Sequence, residues 1–505
     1  MTGEEDKNMI YHSTRNKALT VSSAEAIAQG IAADGGLFVP GSIPELTAAD
    51  FNSLKGLPYA KRAARLFKLY LTDFTDEELR ECTKAAYESG SFETPNVQEI
   101  TTLADGSMLL ELWHGPTCAF KDMALQILPH FLTRSIRKTG IEKEVVILTA
   151  TSGDTGKAAL AGFKDVPGTK IMVFYPEDGV SSMQKRQMQT QEGKNVRVCA
   201  VKGNFDDCQN GVKAIFTDPA MQEALAANGM QFSSANSINW GRLVPQIIYY
   251  VSAYVTLLEN GTLKDGDRFS ITVPTGNFGN ILAAWYAKQM GVPIQHLVCA
   301  SNINKVLTDF IDTGIYDRKR DFHATVSPSM DILISSNLER LLYHMTGEDD
   351  AQIREWFGAL KSEGRYQIPL ELTHRIQAEF SGSFWDDAAT KEMIGKVFSE
   401  NGYLSDTHTA VGICAARDYQ AKAADKYPML IASTANPYKF GAAVLEAIGG
   451  DTNADEYEIL DRLAAKSGMK IPAALAELKT KAVRFTDVVA QDEMPAFVKG
   501  ALGIQ

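Results

Sequence analysis

Cysteine is scarce in this 505-residue chain. The six residues Cys82, Cys118, Cys199, Cys208, Cys299 and Cys414 are scattered, with no C-x-x-C pair. That argues against a disulfide framework and against a zinc or other metal site, and for reduced thiols in the cytoplasm. Long apolar runs are missing too. The most apolar long window, Leu243 to Leu258, contains Pro245, Gln246 and Ser252 and falls short of the ~20 residues of a membrane span, so it reads as a buried helix. Nor is there an excess of positive charge. Fifty Lys and Arg against 62 Asp and Glu give a net charge of −12, which disfavours nucleic acid and anionic membranes as partners. Met1 to Asn8 is acidic and polar and lacks the basic and apolar regions of a signal peptide.

What is present is the composition of a globular protein, 45% hydrophobic and 22% charged, at a length that asks for roughly two to four domains. From about Leu109 onward, short β-branched runs alternate with helical patterns. Glu144–Thr149, Lys170–Tyr175, Asn195–Val201, Phe269–Val273, His296–Ala300 and Pro428–Ala432 are the predicted strands. Such alternation predicts mainly parallel α/β sheets, with ligands bound beyond the carboxyl ends of the strands. Residues 1–95 show amphipathic helical patterns instead and form a separate N-terminal unit. Residues 300–400 read as a helical insertion.

Three loops after predicted strands are chemically suggestive. Thr149-Ala-Thr-Ser-Gly-Asp-Thr-Gly156 opens a helix, and its glycines, amides and hydroxyls suit an anion. Pro274-Thr-Gly-Asn-Phe-Gly-Asn280 also opens a helix and suits a monophosphate. It lacks the G-x-G-x-x-G of a dinucleotide site. Ser433-Thr-Ala-Asn-Pro-Tyr438 offers Thr434 as a partner for a heterocycle nitrogen. Taken singly, the first two also fit ordinary turns, and Thr434 fits a helix cap.

Lys121, in His114-Gly-Pro-Thr-Cys-Ala-Phe-Lys-Asp122, stands at the head of a helical pattern that continues through Met123, Ile127 and Phe131. A lysine there is ordinarily a solvated charge. A desolvated one is a nucleophile toward aldehydes.

Together, H-G-P-T-x-x-F-K-D, A-T-S-G-D-T-G, P-T-G-N-F-G-N and S-T-A-N-P-Y resemble the threonine synthase family of the pyridoxal-phosphate fold type II superfamily. Asp34-Gly-Gly-Leu-Phe-Val-Pro40, Ser234-Ala-Asn-Ser-Ile-Asn-Trp-Gly-Arg242, Ser327-Pro-Ser-Met-Asp-Ile332, Ser335-Ser-Asn-Leu-Glu-Arg340 and Asp406-Thr-His-Thr-Ala-Val-Gly412 are similar to the family as well. The likeness runs from about residue 10 to 445 and suits the longer branch with an extended N-terminal domain. Thr407 departs from it, standing where the family pattern has proline.

The resemblance implies a tryptophan synthase β-like α/β fold: two open parallel-sheet domains and a small, mainly helical N-terminal domain. The expected boundaries are 1–95 for the N-terminal domain, 96–143 and 256–450 for the large domain, 144–255 for the small substrate domain, and 451–505 for a C-terminal helical segment. It implies conversion of O-phospho-L-homoserine and water to L-threonine and phosphate. Lys121 would carry pyridoxal phosphate as a Schiff base and move protons. Gly276, Asn277, Phe278, Gly279 and Asn280 would hold the cofactor phosphate, and Thr434 its ring nitrogen. Ser152, Asp154 and Thr155 would receive the substrate carboxylate, with the Asp154 carboxylate turned away or meeting the substrate ammonium or Lys157. Arg242 would bind the substrate phosphate with Asn239, Ser237 and Lys157, and His114 would line the site, shuttle a proton or serve structure. A monomer or homodimer is expected. Three alternatives stay open: a lyase releasing 2-oxobutanoate, a serine or threonine dehydratase, and a non-catalytic sensor of a phosphorylated metabolite.

Overall fold

Each β-branched run predicted as a strand forms one, and the runs sort into two sheets. The structure, a computed structural model, describes residues 8–151, 153–178, 180–423 and 426–504. The larger sheet has six strands in the order Phe380–Phe384, Ile294–Ser301, Phe269–Pro274, Met429–Ser433, Met108–Glu111 and Glu99–Thr102. All neighbours are parallel except the last pair. The smaller sheet runs Val488–Val489, Val196–Val201, Thr169–Pro176, Glu144–Ala150 and Met230–Ser233, all parallel. Strands such as Phe269–Pro274 are buried along their whole length, as expected where helices cover both faces. Among the described residues no helix is long and apolar enough to cross a membrane.

Three expectations change. The 300–400 region is not only helical, because Phe380–Phe384 is an edge strand of the larger sheet. Its sequence, FSGSF, has too few β-branched residues to announce a strand. The C-terminal segment is not only helical either: Val488–Val489 extends the smaller sheet, and helix Met494–Leu502 packs on its core. The N-terminal unit carries an antiparallel sheet, Asn16–Val21, Tyr11–Ser13 and Phe38–Pro40, beside its helices Tyr59–Tyr70 and Asp76–Tyr87.

The window 243–258 lies inside helix Trp240–Glu259, which is buried along nearly its whole length. It crosses the middle of the main core, against Tyr59–Tyr70 and Gly279–Gln289. The helical pattern after Lys121 is broken into a four-residue turn, Asp122–Leu125, and helix Leu128–Lys138. Pro129 supplies no backbone N–H, so it sits in the first turn of the second helix rather than inside one continuous helix.

Candidate functional site

Lys121 reaches its position because its loop is stitched to the segment after strand Met429–Ser433. The Phe120 N–H donates to Thr434 O at 2.8 Å, and the Asn436 N–H donates to Cys118 O at 3.0 Å. Asp122 fixes the turn from below: its carboxyl accepts from the Thr117 N–H at 2.8 Å and the Thr117 hydroxyl at 2.7 Å. These bonds set Thr434 beside the lysine loop. Lys121 Nζ is almost buried. It donates to Ser329 Oγ at 3.4 Å and lies 3.6 Å from Asp154 Oδ2. Burial pushes its pKa below the usual lysine value, Lys439 and Arg242 push the same way, and Asp154 opposes them.

Asp154 opens helix Asp154–Phe163. Its Oδ1 accepts from Lys439 Nζ at 2.8 Å and from Gln184 Nε2 at 2.9 Å. Gln184 can aim there because its Oε1 accepts from the Ser181 N–H in a capping box. Burial alone would raise the Asp154 carboxyl, but Lys439 and Lys121 hold it well below the usual carboxylate range. Asp154 therefore meets two lysines, and neither is Lys157. Gly153, at φ +130°, presses against Gln184: a Cβ there would lie 2.3 Å from the amide carbon.

The second loop ends in a left-handed residue, Phe278 at φ +62°, which turns the chain into helix Gly279–Gln289. Among the described residues no acceptor takes the N–H groups from Asn277 to Ile281, the usual state of a helix N-terminus and a natural anion seat. Asn280 Oδ1 accepts from Tyr249 and Tyr250, so its Nδ2 is the free end, buried and without a partner. Gly276 admits no side chain, since a Cβ would lie 2.4 Å from Ser329 O. From behind, Ser335 Oγ donates to Gly276 O, and Asn337 donates through its backbone and side chain to Asn277 O.

Arg242 is buried, and its Nη1 donates to Ala235 O while Nε has no partner. Burial lowers it to about 10. It lies within electrostatic range of Lys121, and Gln246, bonded to Arg242 O, stands beside Gly279. Ser237 is there too, its Cβ 3.8 Å from where Gly279 would carry one.

Other expected residues are placed differently. Asn239 caps helix Trp240–Glu259: its Oδ1 accepts from the Gly241 N–H, and its Nδ2 donates to Ile27 O and Ser234 O. Both ends of its amide are engaged in holding the segment, not in facing a ligand. Lys157 Nζ donates to Gln191 Oε1 and lines a cavity of about 260 Å³ with Lys164 and Lys481, whose walls do not include Lys121. His114 contacts Glu111 at 2.9 Å and faces Glu93 at 3.9 Å. Burial opposes its protonation, but the two carboxylates raise it to about 9. Thr155 is half-buried in the first turn after Asp154. Ser152 lies outside the described residues.

The sequence reading passed over Lys439, Ser329, Gln184 and Asn337. Ser329 and Asn337 stand in segments already singled out, and Lys439 directly follows S-T-A-N-P-Y. Gln184 had only its capping box. Ser329 is held by His408, whose Nε2 accepts the Ser329 N–H at 3.1 Å and whose Nδ1 is 2.9 Å from Asp406 Oδ2.

This arrangement fits a phosphorylated carbonyl compound. It offers a desolvated amine, a helix N-terminus with an unpartnered amide, a buried guanidinium with no carboxylate among the described residues, and a hydroxyl beside the amine. Among the described residues no cluster of three or more His, Cys, Asp or Glu could hold a metal.

Comparison with known proteins gives three family matches: "Threonine synthase N terminus" over residues 10–87, "Pyridoxal-phosphate dependent enzyme" over 108–370, and "Threonine synthase, C-terminal" over 409–498. Threonine synthase-like 1 of Pongo abelii is 41% identical over 435 residues, covering 84% of this chain and 58% of that protein. The chain thus spans little more than half the length of that relative. Threonine synthase of Saccharomyces cerevisiae is 37% identical over 472 residues, covering 88% of this chain and 90% of the other. The solved PLP-bound threonine synthase from Brucella melitensis superposes with a TM-score of 0.86 at 35% identity, over 98% of this chain and 99% of that one.

Proposed function

The chain belongs to the threonine synthase family of pyridoxal-phosphate-dependent enzymes, and on that premise we propose that it converts O-phospho-L-homoserine and water to L-threonine and phosphate. The observation that carries this reading is a nearly buried Lys121 within electrostatic range of Arg242, a buried guanidinium that has no carboxylate partner among the described residues.

In this reading Lys121 Nζ holds the cofactor, and the amides of Asn277 to Ile281 with Asn280 Nδ2 hold its phosphate. The Thr434 hydroxyl meets the ring nitrogen. Bound there, pyridoxal phosphate supplies a conjugated ring that accepts electrons from the carbon being deprotonated. Lys121 Nζ takes and returns protons at the substrate's α and β carbons. Arg242, with Ser237 beside it, binds the phosphate of the substrate and then of the leaving group, because a planar guanidinium donates two parallel hydrogen bonds. The loop of Ser152 and Thr155 receives the substrate carboxylate. Asp154, already bonded to Lys439, keeps its charge toward the lysines. The six buried cysteines suit a reducing compartment, so we place the enzyme in the cytoplasm.

The test is incubation of the cofactor-loaded protein with O-phospho-L-homoserine while threonine and phosphate are measured together. Equal amounts of both are expected, and Lys121→Ala should remove turnover and the borohydride-reducible adduct. Appearance of 2-oxobutanoate with no threonine would overturn the synthase reading in favour of a lyase. An adduct that persists on another lysine would reject Lys121.

A further inference from the structure

Two lysines share one aspartate in this site. Asp154 Oδ1 is 2.8 Å from Lys439 Nζ, and Asp154 Oδ2 is 3.6 Å from Lys121 Nζ. Lys439 is fully buried on the short turn Pro437–Phe440, and its ammonium also donates to Thr117 O at 2.9 Å. A lysine sealed inside a protein is costly unless its charge is matched. One carboxylate can match one ammonium, and the contact distances give it to Lys439. From these contacts we infer that Lys439 is a positioning residue, the counter-ion of Asp154, which leaves Lys121 the more weakly paired of the two lysines and the one whose amine is freer to attack an aldehyde.

The surrounding groups agree with that division. Gln184 Nε2 shares Asp154 Oδ1 with Lys439, which strengthens the tighter half of the array. Ser329 Oγ donates to Asp154 Oδ2 at 3.4 Å, on the side that faces Lys121. Arg242, from the long buried helix, adds positive potential at Lys121. Asp122 is bonded to Thr117, and burial pushes its carboxyl up to about 6. The Cys118 thiol is pushed up by burial and stays protonated. His408 accepts the Ser329 N–H through Nε2 and holds Ser329 in place. Lys157 adds a more distant positive charge beyond Lys439. With Asp154 Oδ1 engaged by Lys439 at 2.8 Å, Lys121 is left with the looser contact, Asp154 Oδ2 at 3.6 Å, which holds a proton on it less firmly. The geometry also has an economical origin in the chain: the segment that leaves Met429–Ser433 delivers Thr434 and, five residues later, the counter-ion.

The inference rests on Lys121 being the lysine that takes the cofactor, and its test needs neither cofactor nor substrate. The full chain, stripped of cofactor, is labelled competitively with acetic anhydride across a pH series, and Lys121 is quantified by peptide mass spectrometry. Lys439→Met should move the labelling midpoint of Lys121 up by about one pH unit or more, which is about tenfold slower labelling below the midpoint. Lys439→Arg should keep the midpoint near that of the parent, and Asp154→Asn should move it down. In the cofactor-loaded protein, Lys439→Met should shift the acidic limb of the kcat profile to higher pH. A midpoint unmoved by Lys439→Met, or moved equally by Lys439→Arg, would overturn the inference. Should Lys439→Met fail to fold, Lys439→Gln replaces it, and an unmoved or raised midpoint in Asp154→Asn overturns the inference independently. A negative borohydride experiment with normal labelling shifts would reject the cofactor assignment and leave the charge array standing.

Discussion

Arg242 is a guanidinium inside the protein that, among the described residues, finds no acceptor for Nε and no carboxylate for its head. Evolution rarely leaves such a cation uncompensated, because desolvation costs several kcal/mol. An anionic ligand is the simplest compensation. Replacing it tests which phosphate it serves. Arg242→Ala should raise the KM for O-phospho-L-homoserine by about 10- to 100-fold, the worth of one or two charge-assisted hydrogen bonds. The affinity for pyridoxal phosphate, measured by fluorescence titration, should change far less. An unchanged KM would remove Arg242 from the substrate site. At this scale the sequence was a fair guide to residue identity and a poor one to partners. Arg242 and Asn239 stand in one segment and looked alike as phosphate ligands. Only the fold shows that Asn239 closes a helix end with both ends of its amide. Similarly, Lys157 sits in the quoted loop, but helix geometry carries it one turn past Asp154 and into another cavity.

Helix Thr407–Lys422 illustrates how an element can be read from its first turn. Asp406 caps it, accepting from the N–H groups of His408 and Thr409, and holds the His408 ring as well. Thr407 occupies the first helical position, with a buried hydroxyl that has no partner. Proline is well suited there, since its missing N–H is an orphan in any case. Asp406 already has the extended backbone, ψ 170°, that a following proline demands. Thr407→Pro should therefore stabilise the protein by about 0.5–1 kcal/mol, through a less flexible unfolded chain, seen as a higher denaturant midpoint with activity retained. A lower midpoint would mean that the Thr407 hydroxyl or N–H does structural work. Strands were legible in the sequence where they are buried on both faces, because such runs must be apolar and β-branched. The edge strand Phe380–Phe384 was not, because it pairs on one side only and packs glycine and serine against a helix.

Across the whole molecule, one helix ties two regions to the loop of residues 274–280. Arg340, on Leu338–Met345, donates to Phe38 O of the N-terminal sheet, to Ile238 O of the segment before Arg242, and to Asn337 Oδ1 behind Asn277. Its neighbour Glu339 is bridged by Arg15 and by Thr14. The N-terminal unit is thus coupled to the cofactor loop through buried polar bonds. Arg340→Met would remove the guanidinium from two buried acceptors and one half-buried one, at a cost of about 3 kcal/mol. We expect a lower denaturant midpoint together with faster loss of pyridoxal phosphate on dialysis. A loss of stability with unchanged cofactor retention would show that the link does not reach the loop.

The sequence by itself determined the α/β class and the succession of buried strands, and it singled out the two glycine-bearing loops and Lys121, because each depends on local patterning or on short runs of residue types. What only the tertiary structure decided is who faces whom. Lys121 and Asp154 are 33 residues apart, and Lys439 lies 285 residues beyond Asp154, yet the three meet within 3.6 Å steps. No local rule records such a meeting. It arises where separate strand exits converge between the two sheets, and there burial turns an ordinary lysine into a reactive amine.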